Sequence, residues 1–540
     1  MATTEMKVLD RHGNPMRASR EFRPTARYLR DTRSNVLSTR PAPLTESRDD
    51  IRQAWTRTAG LALDLIKNSG RLKGAADQVL ADTVGSELQL NPKPDLSGLG
   101  YDDKERADWC RLVKRRWKLW SWNEAECDFR GKFTLPQLVD ISLRWHMAYG
   151  EVTGILDYMD QAKRQRYGIR TGTKLCLTPP SRLVQDTSEM EGLFQGVYHD
   201  ENGRPAGYLF EERNAGFVSR KSYPARDASG RKHVLHVFDP MDATDVRGIS
   251  VMASAFRKHI QHEMLDDATL QTAILQTIFA ATLTSEKPTM EAFEALETLK
   301  DTGVEGASEY AEEYTAFLQS SLEKAAEGQI SLSGDPQISH LAPGERFEVT
   351  TAGTPGGQYL PFSNALSRDM ARAIGITYGG LTMDHTNATY SSVRMETSSI
   401  WPVVGRRRQR IAAPVCQAVY ESWLDEEIGT GRIPFKGGRR AYEANRERVS
   451  WAQWQGPPKP TADDNKSARA STERLGNGTS SIEIEAAELG LDTDELFEQR
   501  RDEHNRYLDA GMPSPYEPRQ MNGQPFEEEP QEKKKEEAAS

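Results

Sequence analysis

The sequence predicts a helix-rich α+β chain of several units, and three observations carry that reading. Long apolar-periodic runs at helical spacing occupy both ends and the middle of the chain. Between residues 150 and 240 the pattern changes to short apolar runs separated by Pro, Gly, Asn and Asp. The length, 540 residues, is enough for two to four structural units. Hydrophobic residues make up 37% and charged residues 28%, a balance suited to an extended multidomain protein with polar surfaces between subunits. The formal net charge is −10. A protein that grips nucleic acid by neutralising phosphates is more often basic, but DNA that only slides past is not excluded. Four scattered cysteines, Cys110, Cys127, Cys176 and Cys416, form no CxxC and read as core thiols rather than a zinc or disulfide framework. No run of about 18 apolar residues marks a membrane span, and the polar, basic N-terminus has no signal-peptide core.

Residues 1–45 hold nine Lys/Arg against four Asp/Glu and read as an extended basic arm. Residues 46–82 are predicted helical from Ile51, Trp55, Thr58, Leu61, Ala62, Leu65 and Ile66. A helix over 103–125 interleaves Trp109, Leu112, Val113, Trp117 and Trp120 with Arg111, Lys114, Arg115, Arg116 and Lys118. Basic and aromatic residues together can bind single strands by stacking. Here the aromatics recur at helical spacing, so a core face with a solvated basic face is the favoured reading. A third helix covers 134–149. Lys174–Leu177, Leu193–Tyr198, Gly207–Phe210 and His233–Phe238 are predicted strands, with a hairpin turn at Asn202-Gly203.

Residues Ile249–Thr284 contain no Pro or Gly and predict one long helix. An insert over 287–352 reads as a helix through Met290–Leu299, a second through Tyr310–Leu322, and strands at Ile330–Leu332 and Phe347–Thr350. An apolar-periodic helix then runs to Ile374 and stops at Gly375. The segment Ile376–Thr389, with Gly379-Gly380, shows no periodicity. A long helix starting near Asn387 follows, which Pro402 and Pro414 should kink or break. Pro457-Pro458-Lys459-Pro460 is a stiff linker. Three short helices are expected over 461–511, with a capping box at Ser480–Glu483 and stops at Asn477-Gly478 and Gly490. Residues 512–540, rich in Pro, Glu and Lys, read as disordered.

Several landmarks recur in order. Phe238-Asp239-Pro240 and Arg247-Gly248 precede the long helix. Arg372-Ala373-Ile374-Gly375-Ile376 precedes the loop. Tyr390-Ser391-Ser392-x-Arg394 opens the next helix and Tyr420-x-x-Trp423-Leu424 closes it. Trp454, the proline linker and Lys466-Ser467-Ala468 follow. In this order, over residues 50–510, the chain resembles the lambda-family bacteriophage portal proteins, the head-tail connectors. The resemblance implies a mixed α/β portal fold assembled as a ring, typically of twelve subunits, around a central channel. It divides the chain into a wing (46–245, with 393–458 returning to it), a first stem helix (246–286), a clip (287–356), a second stem helix (357–375), a channel loop (376–392) and a crown (459–511).

The resemblance also implies a place and partners: a capsid vertex of the virion, reached from the host cytoplasm during assembly. The partners would be double-stranded DNA in the channel, the large terminase subunit, the major capsid and scaffold proteins, and a head-completion or adaptor protein. Leu381, Thr382, Met383, His385, Thr386 and Asn387 are the expected channel-loop residues. Arg406, Arg407, Arg408 and Arg410 are candidates for DNA or subunit contact.

No GxxxxGK[ST] and no GxSxG occur, so neither a P-loop motor nor a nucleophile elbow is encoded, and no enzyme activity, cofactor or metal is expected. His259 and His262, one turn apart on the long helix, leave a metal-dependent hydrolase as an alternative. A monomeric nucleic-acid-binding protein using the Trp/Arg helix is another.

Overall fold

The computed structural model of the chain describes residues 44–214, 216–278, 282–285, 316, 345–348, 357–386, 388–460 and 464–516. The first predicted helix is two helices, α1 (Ser47–Asn68) and α2 (Gly70–Thr83). The break falls at Ser69, whose extended backbone and side-chain oxygen cap α2 by accepting from the Leu72 N–H. Strand β1 (Gln89–Pro92) follows. Helix α3 (Asp103–Ser121) starts at a capping box between Asp102 and Glu105, and the short α4 is Glu124–Cys127. Helix α5 (Leu135–Tyr149) starts with Pro136 in its first turn and ends at Gly150.

Residues 151–238 hold β2 (Glu151–Tyr158), α6 (Gln161–Tyr167), β3 (Thr173–Leu177), β4 (Leu193–Phe194), β5 (Val197–His199), β6 (Pro205–Asn214), β7 (Phe217–Pro224) and β8 (Val234–Phe238). Two antiparallel sheets result, β3-β2-β8 and the meander β4-β5-β6-β7. Asn202-Gly203 turns β5 into β6, and the Gly203 N–H donates to the Asp200 carbonyl. Strand β2, central in its sheet, escaped the sequence reading. Its first six residues are all buried, so no polar-apolar alternation marks it.

The predicted helix over Ile249–Thr284 is corrected at both ends. Helix α7 is Phe256–Ile278. Before it, Ser250 donates to the Met147 carbonyl at 2.7 Å and accepts from the Met252 N–H at 3.2 Å, which holds residues 251–255 in turns. After it, β9 (Thr282–Ser285) pairs antiparallel with β10 (Glu345–Glu348). Strand β10 overlaps the expected strand at Phe347–Thr350. The expected strand at Ile330–Leu332 and, apart from residue 316, the two insert helices lie outside the described residues, as do the basic arm to residue 43 and the tail beyond 516.

Helix α8 (Tyr359–Ile374) ends at Gly375 as expected. A short α9 (Tyr378–Thr382) and then α10 (Tyr390–Arg407) follow. Helix α10 continues through Pro402, which is exposed, as is Ser398, whose carbonyl loses its helical partner there. One π-turn, Arg408–Ala412, separates it from α11 (Ala413–Gly429), which carries Pro414 in its first turn. The chain then runs through α12 (Gly438–Ala444), α13 (Arg446–Val449) and β11 (Ala452–Gln455), which pairs with β1. The last helices are α14 (Asp464–Gly476), α15 (Ile482–Glu488) and α16 (Thr493–Asp509). The α15 cap is Ser481, one residue later than expected, because its side chain meets the Ile484 N–H.

The principal core joins α1, α2, α3, α5, β2, β3, α8 and α11 with β11. Its centre is aromatic: Trp117 packs 5.2 Å from Trp423 and 5.7 Å from Trp454 between ring centres. The Trp stripe of α3 is therefore core. Its basic face is also taken: Lys114 reaches Asp492 at 2.6 Å and Asp494 at 2.9 Å, Arg111 reaches Glu498 at 2.9 Å, and Arg116 reaches the buried Glu427 at 2.6 Å. The Lys114 and Arg111 contacts dock α16 onto α3, the Arg116 contact ties α3 to α11, and together they engage three of the five cations on that face.

Candidate functional site

The segment from 376 to 389 is partly helical rather than irregular. Thr377 caps α9 by accepting from the Gly380 N–H at 3.0 Å. The Thr382 hydroxyl donates back to the Tyr378 carbonyl at 3.0 Å and accepts from the Asp384 N–H at 3.2 Å. Met383 ends the helix in the left-handed region, with φ of 54°. Thr389 caps α10, so that helix starts at Tyr390 rather than near Asn387.

The loop residues expected from sequence therefore divide. Leu381 is 7% exposed and belongs to the main core, which corrects its assignment to an open loop face. Thr382 is half-buried and closes the α9 turn. Met383 is 72% exposed, and His385 and Thr386 are exposed beside it. Asn387 lies outside the described residues. No Lys or Arg occurs between 376 and 389. Hydrogen bonds from the Thr386 side chain and backbone hold the Asp384 carboxyl below its ordinary range, so the loop presents a negative charge at neutral pH. Beneath it lies a cavity of about 220 Å³ lined by Gln78, Asp82, Thr377, His385, Thr397 and Trp401.

The arginine cluster after the loop is largely structural. Arg407 is buried and donates to the Ile374 carbonyl at 2.7 Å. Burial, against the pull of Asp82, pushes its guanidinium down to about 10. Arg408 donates to the Thr83, Asp82 and Pro457 carbonyls at 2.8, 3.1 and 3.2 Å. These two are not available to DNA within the folded chain. Arg406 and Arg410 are exposed and both bind Asp239 at 2.9 Å. Burial would raise the Asp239 carboxyl, but Arg410 and Arg406 outweigh it and hold it below its ordinary range.

The His259/His262 pair is also absorbed by packing. Both rings are buried. The Glu263 carboxylate stands 3.0 Å from His259 Nε2. His262 Nδ1 faces the Arg71 guanidinium at 2.6 Å, and its Nε2 faces Ser363 Oγ at 2.6 Å. A guanidinium on a ring nitrogen leaves no place there for a cation. Among the described residues no group of three or more His, Cys, Asp or Glu side chains is placed to hold a metal ion.

One constellation was missed in the sequence. Glu151, at the start of β2, accepts two bonds from Arg247 Nε at 2.8 and 2.9 Å and a third from Nη2. It also meets His236 Nε2 at 3.0 Å and the Gly248 N–H at 3.2 Å. Arg247 further donates to the Gln195 and Pro180 carbonyls and lies 4.5 Å from the Trp55 ring. Arg247-Gly248 was visible as a landmark, but its partners lie far away in sequence.

Comparison with known proteins places these features in a family. The family described as "Phage portal protein, lambda family" matches residues 33–408. The chain is 24% identical over 469 residues to portal protein B of Escherichia phage lambda, covering 85% of this chain and 86% of that protein. It is 24% identical over 485 residues to the portal protein of Escherichia phage N15, covering 88% of each. Among solved structures, a chain from the neck of an empty gene transfer agent particle, computed with C6 symmetry, aligns over 84% of this chain and 94% of its own length, with 12% identity and a TM-score of 0.39. An HK97-family phage portal protein from Corynebacterium diphtheriae aligns over 60% and 89%, with 12% identity and a TM-score of 0.24.

Proposed function

The chain belongs to the lambda family of phage portal proteins, and from that membership we propose that it forms a ring at one capsid vertex through which double-stranded DNA is packaged and later ejected. The observation that carries the proposal is the family match over residues 33–408, joined by two relatives that are themselves portal proteins. The ring has typically twelve copies. It meets the large terminase subunit, scaffold and major capsid protein during assembly in the host cytoplasm, and a head-completion protein in the virion. In this reading residues 46–245 and 393–458 are the wing, α7 and α8 the stem, 287–356 the clip, 376–392 the channel loop and 459–511 the crown. The ring itself performs no catalysis, and a separate motor supplies the energy.

The loop chemistry suits passage rather than grip. Met383, His385 and Thr386 are the side chains offered to DNA, with Asp384 beside them and no cation. A ring multiplies each loop charge by the number of subunits, so fixed cations would hold phosphates strongly and in a salt-dependent way. Negative-stain microscopy of the purified protein tests assembly: rings with a central hole are expected, and monomers alone would refute the proposal. Met383→Lys with Thr386→Lys tests the loop. Thr382 is left intact because its hydroxyl closes α9. Rings are expected to form normally while packaging falls, with the defect eased by added salt. Normal packaging by the variant, or loss of rings, would remove the loop from this role.

A further inference from the structure

The polar cluster that takes up His262 joins three elements, α2, α7 and α8. Arg71, near the start of α2, places its guanidinium 2.6 Å from His262 Nδ1 on α7 and 3.4 Å from the Asp266 carboxylate one turn on. Ser363 and Tyr359 reach in from α8: Ser363 Oγ is 2.6 Å from His262 Nε2, and the Tyr359 hydroxyl donates to Asp266 at 2.5 Å. The titratable and charged groups around His262 are therefore Arg71 from α2, His259, Glu263 and Asp266 from α7, and Tyr359 from α8.

This geometry fixes the protonation of the ring. A guanidinium has donors only, so Nδ1 must accept, and the neutral ring carries its proton on Nε2, where it donates to Ser363 Oγ. Protonating Nδ1 would set two donors face to face and add a positive charge beside Arg71. Burial, then Arg71, outweigh Asp266 and hold the ring's affinity for a proton below the ordinary histidine value.

Helix α2 leads from this cluster toward the loop. It has 14 residues, about 21 Å of rigid rod. Two turns beyond Arg71, Gln78 meets α9 at Gly380, where even a Cβ would stand 3.2 Å from Gln78 Cγ and 2.9 Å from Thr377 Oγ1. We infer that the Arg71–His262 contact is a latch between α2 and the paired helices α7 and α8. Protonation of His262 opens it, and α2 carries the change to α9 and the loop it starts. Arg71 acts here as a positioning residue. Any effect of the moved loop on DNA would rest on the function proposed above, whereas the latch does not.

Sign and window follow from the depressed affinity for a proton. The latch is intact above the ordinary histidine value near 6.5 and is lost as pH falls below it toward the depressed folded value. The test is hydrogen exchange by mass spectrometry on the full-length protein, with rates corrected for intrinsic pH dependence. In the wild type, protection over residues 359–382 is expected to fall about tenfold between pH 7.5 and 5. His262→Gln offers a neutral acceptor to Arg71 and a donor to Ser363, and should lack the step. Arg71→Gln removes the opposing cation, and should lower protection at pH 7.5 and shrink the step. An equal acid step in both variants would overturn the latch. A step confined to α7 and α8, with α9 unchanged, would overturn the transmission through α2. Microscopy of the same samples reports ring assembly separately, so failure of the latch and failure of the portal reading are told apart.

Discussion

Replacing Arg247 by Met tests what holds the 151–238 region to the core. The change leaves Glu151 fully buried without its cation, and removing one partner of a buried ion pair costs roughly 3–5 kcal/mol. Glu151 keeps His236 at 3.0 Å and the Gly248 N–H at 3.2 Å, so the lower end applies. About 3 kcal/mol corresponds to roughly a hundredfold in an opening equilibrium. The assay is amide exchange over Val152–Leu156 of β2, whose protection reports local opening without assuming that the whole chain unfolds in one step.

The pH dependence adds a second, independent reading. In the wild type burial would raise the Glu151 carboxyl, but Arg247 and then His236 outweigh it and hold it below its ordinary value of 4.5. That contribution is present above about pH 4.5 and is lost as pH falls through the depressed value. In Arg247→Met burial acts unopposed by the arginine, the carboxyl binds its proton more readily folded than unfolded, and acid relieves the penalty. The gap between wild type and variant should therefore narrow from pH 7 to pH 4. A change below fivefold at neutral pH, or a gap constant across that range, would refute the reasoning.

Other outcomes follow from the same geometry. Gly150→Ala should abolish soluble protein, since at φ of +85° its Cβ would lie 2.1 Å from the Ile249 backbone, whereas Gly60→Ala meets nothing within 4 Å and should leave yield unchanged. Burial pushes the Cys110 thiol up to about 11 and those of Cys127 and Cys416 to about 12. Thiol titration at pH 8 should find these three unreactive in the native protein, with the less buried Cys176 reacting first. Lys114→Met removes the cation shared by Asp492 and Asp494, and proteolysis should release α16 faster while the aromatic core, read by tryptophan emission, stays unchanged.

Legibility in the sequence tracked how local each cause was. Helix α5 was readable because its start at Thr134-Leu135-Pro136 and its stop at Gly150 are adjacent signals. The α3 aromatics were readable as core because 3.6-residue periodicity is itself the cause of their burial. Strand β2 was not, because burial on both faces erases the period-two pattern. Helix α7 was overextended: absence of Pro and Gly is no start signal, and what holds the turn region before it is Ser250 bound to Met147, a contact with another helix. At the candidate site the Gly379-Gly380 pair read as a breaker, while the Thr377 cap that makes α9 possible passed unnoticed. Arg407 and Arg408 were visible as charges. That their partners are carbonyls at 82, 83, 374 and 457 could only emerge from the fold.

Pairing of β1 with β11 sets the timing of folding. Gln89–Pro92 must wait for Ala452–Gln455, and Trp117 must wait for Trp423 and Trp454. At roughly 5–20 residues per second, the ribosome takes about twenty seconds to a little over a minute to deliver the missing strand. During that interval the tryptophan face of α3 has no native cover. The central body thus closes only late in synthesis, and a nascent chain cut short before Gln455 should be a client for chaperones and proteases rather than a competent subunit.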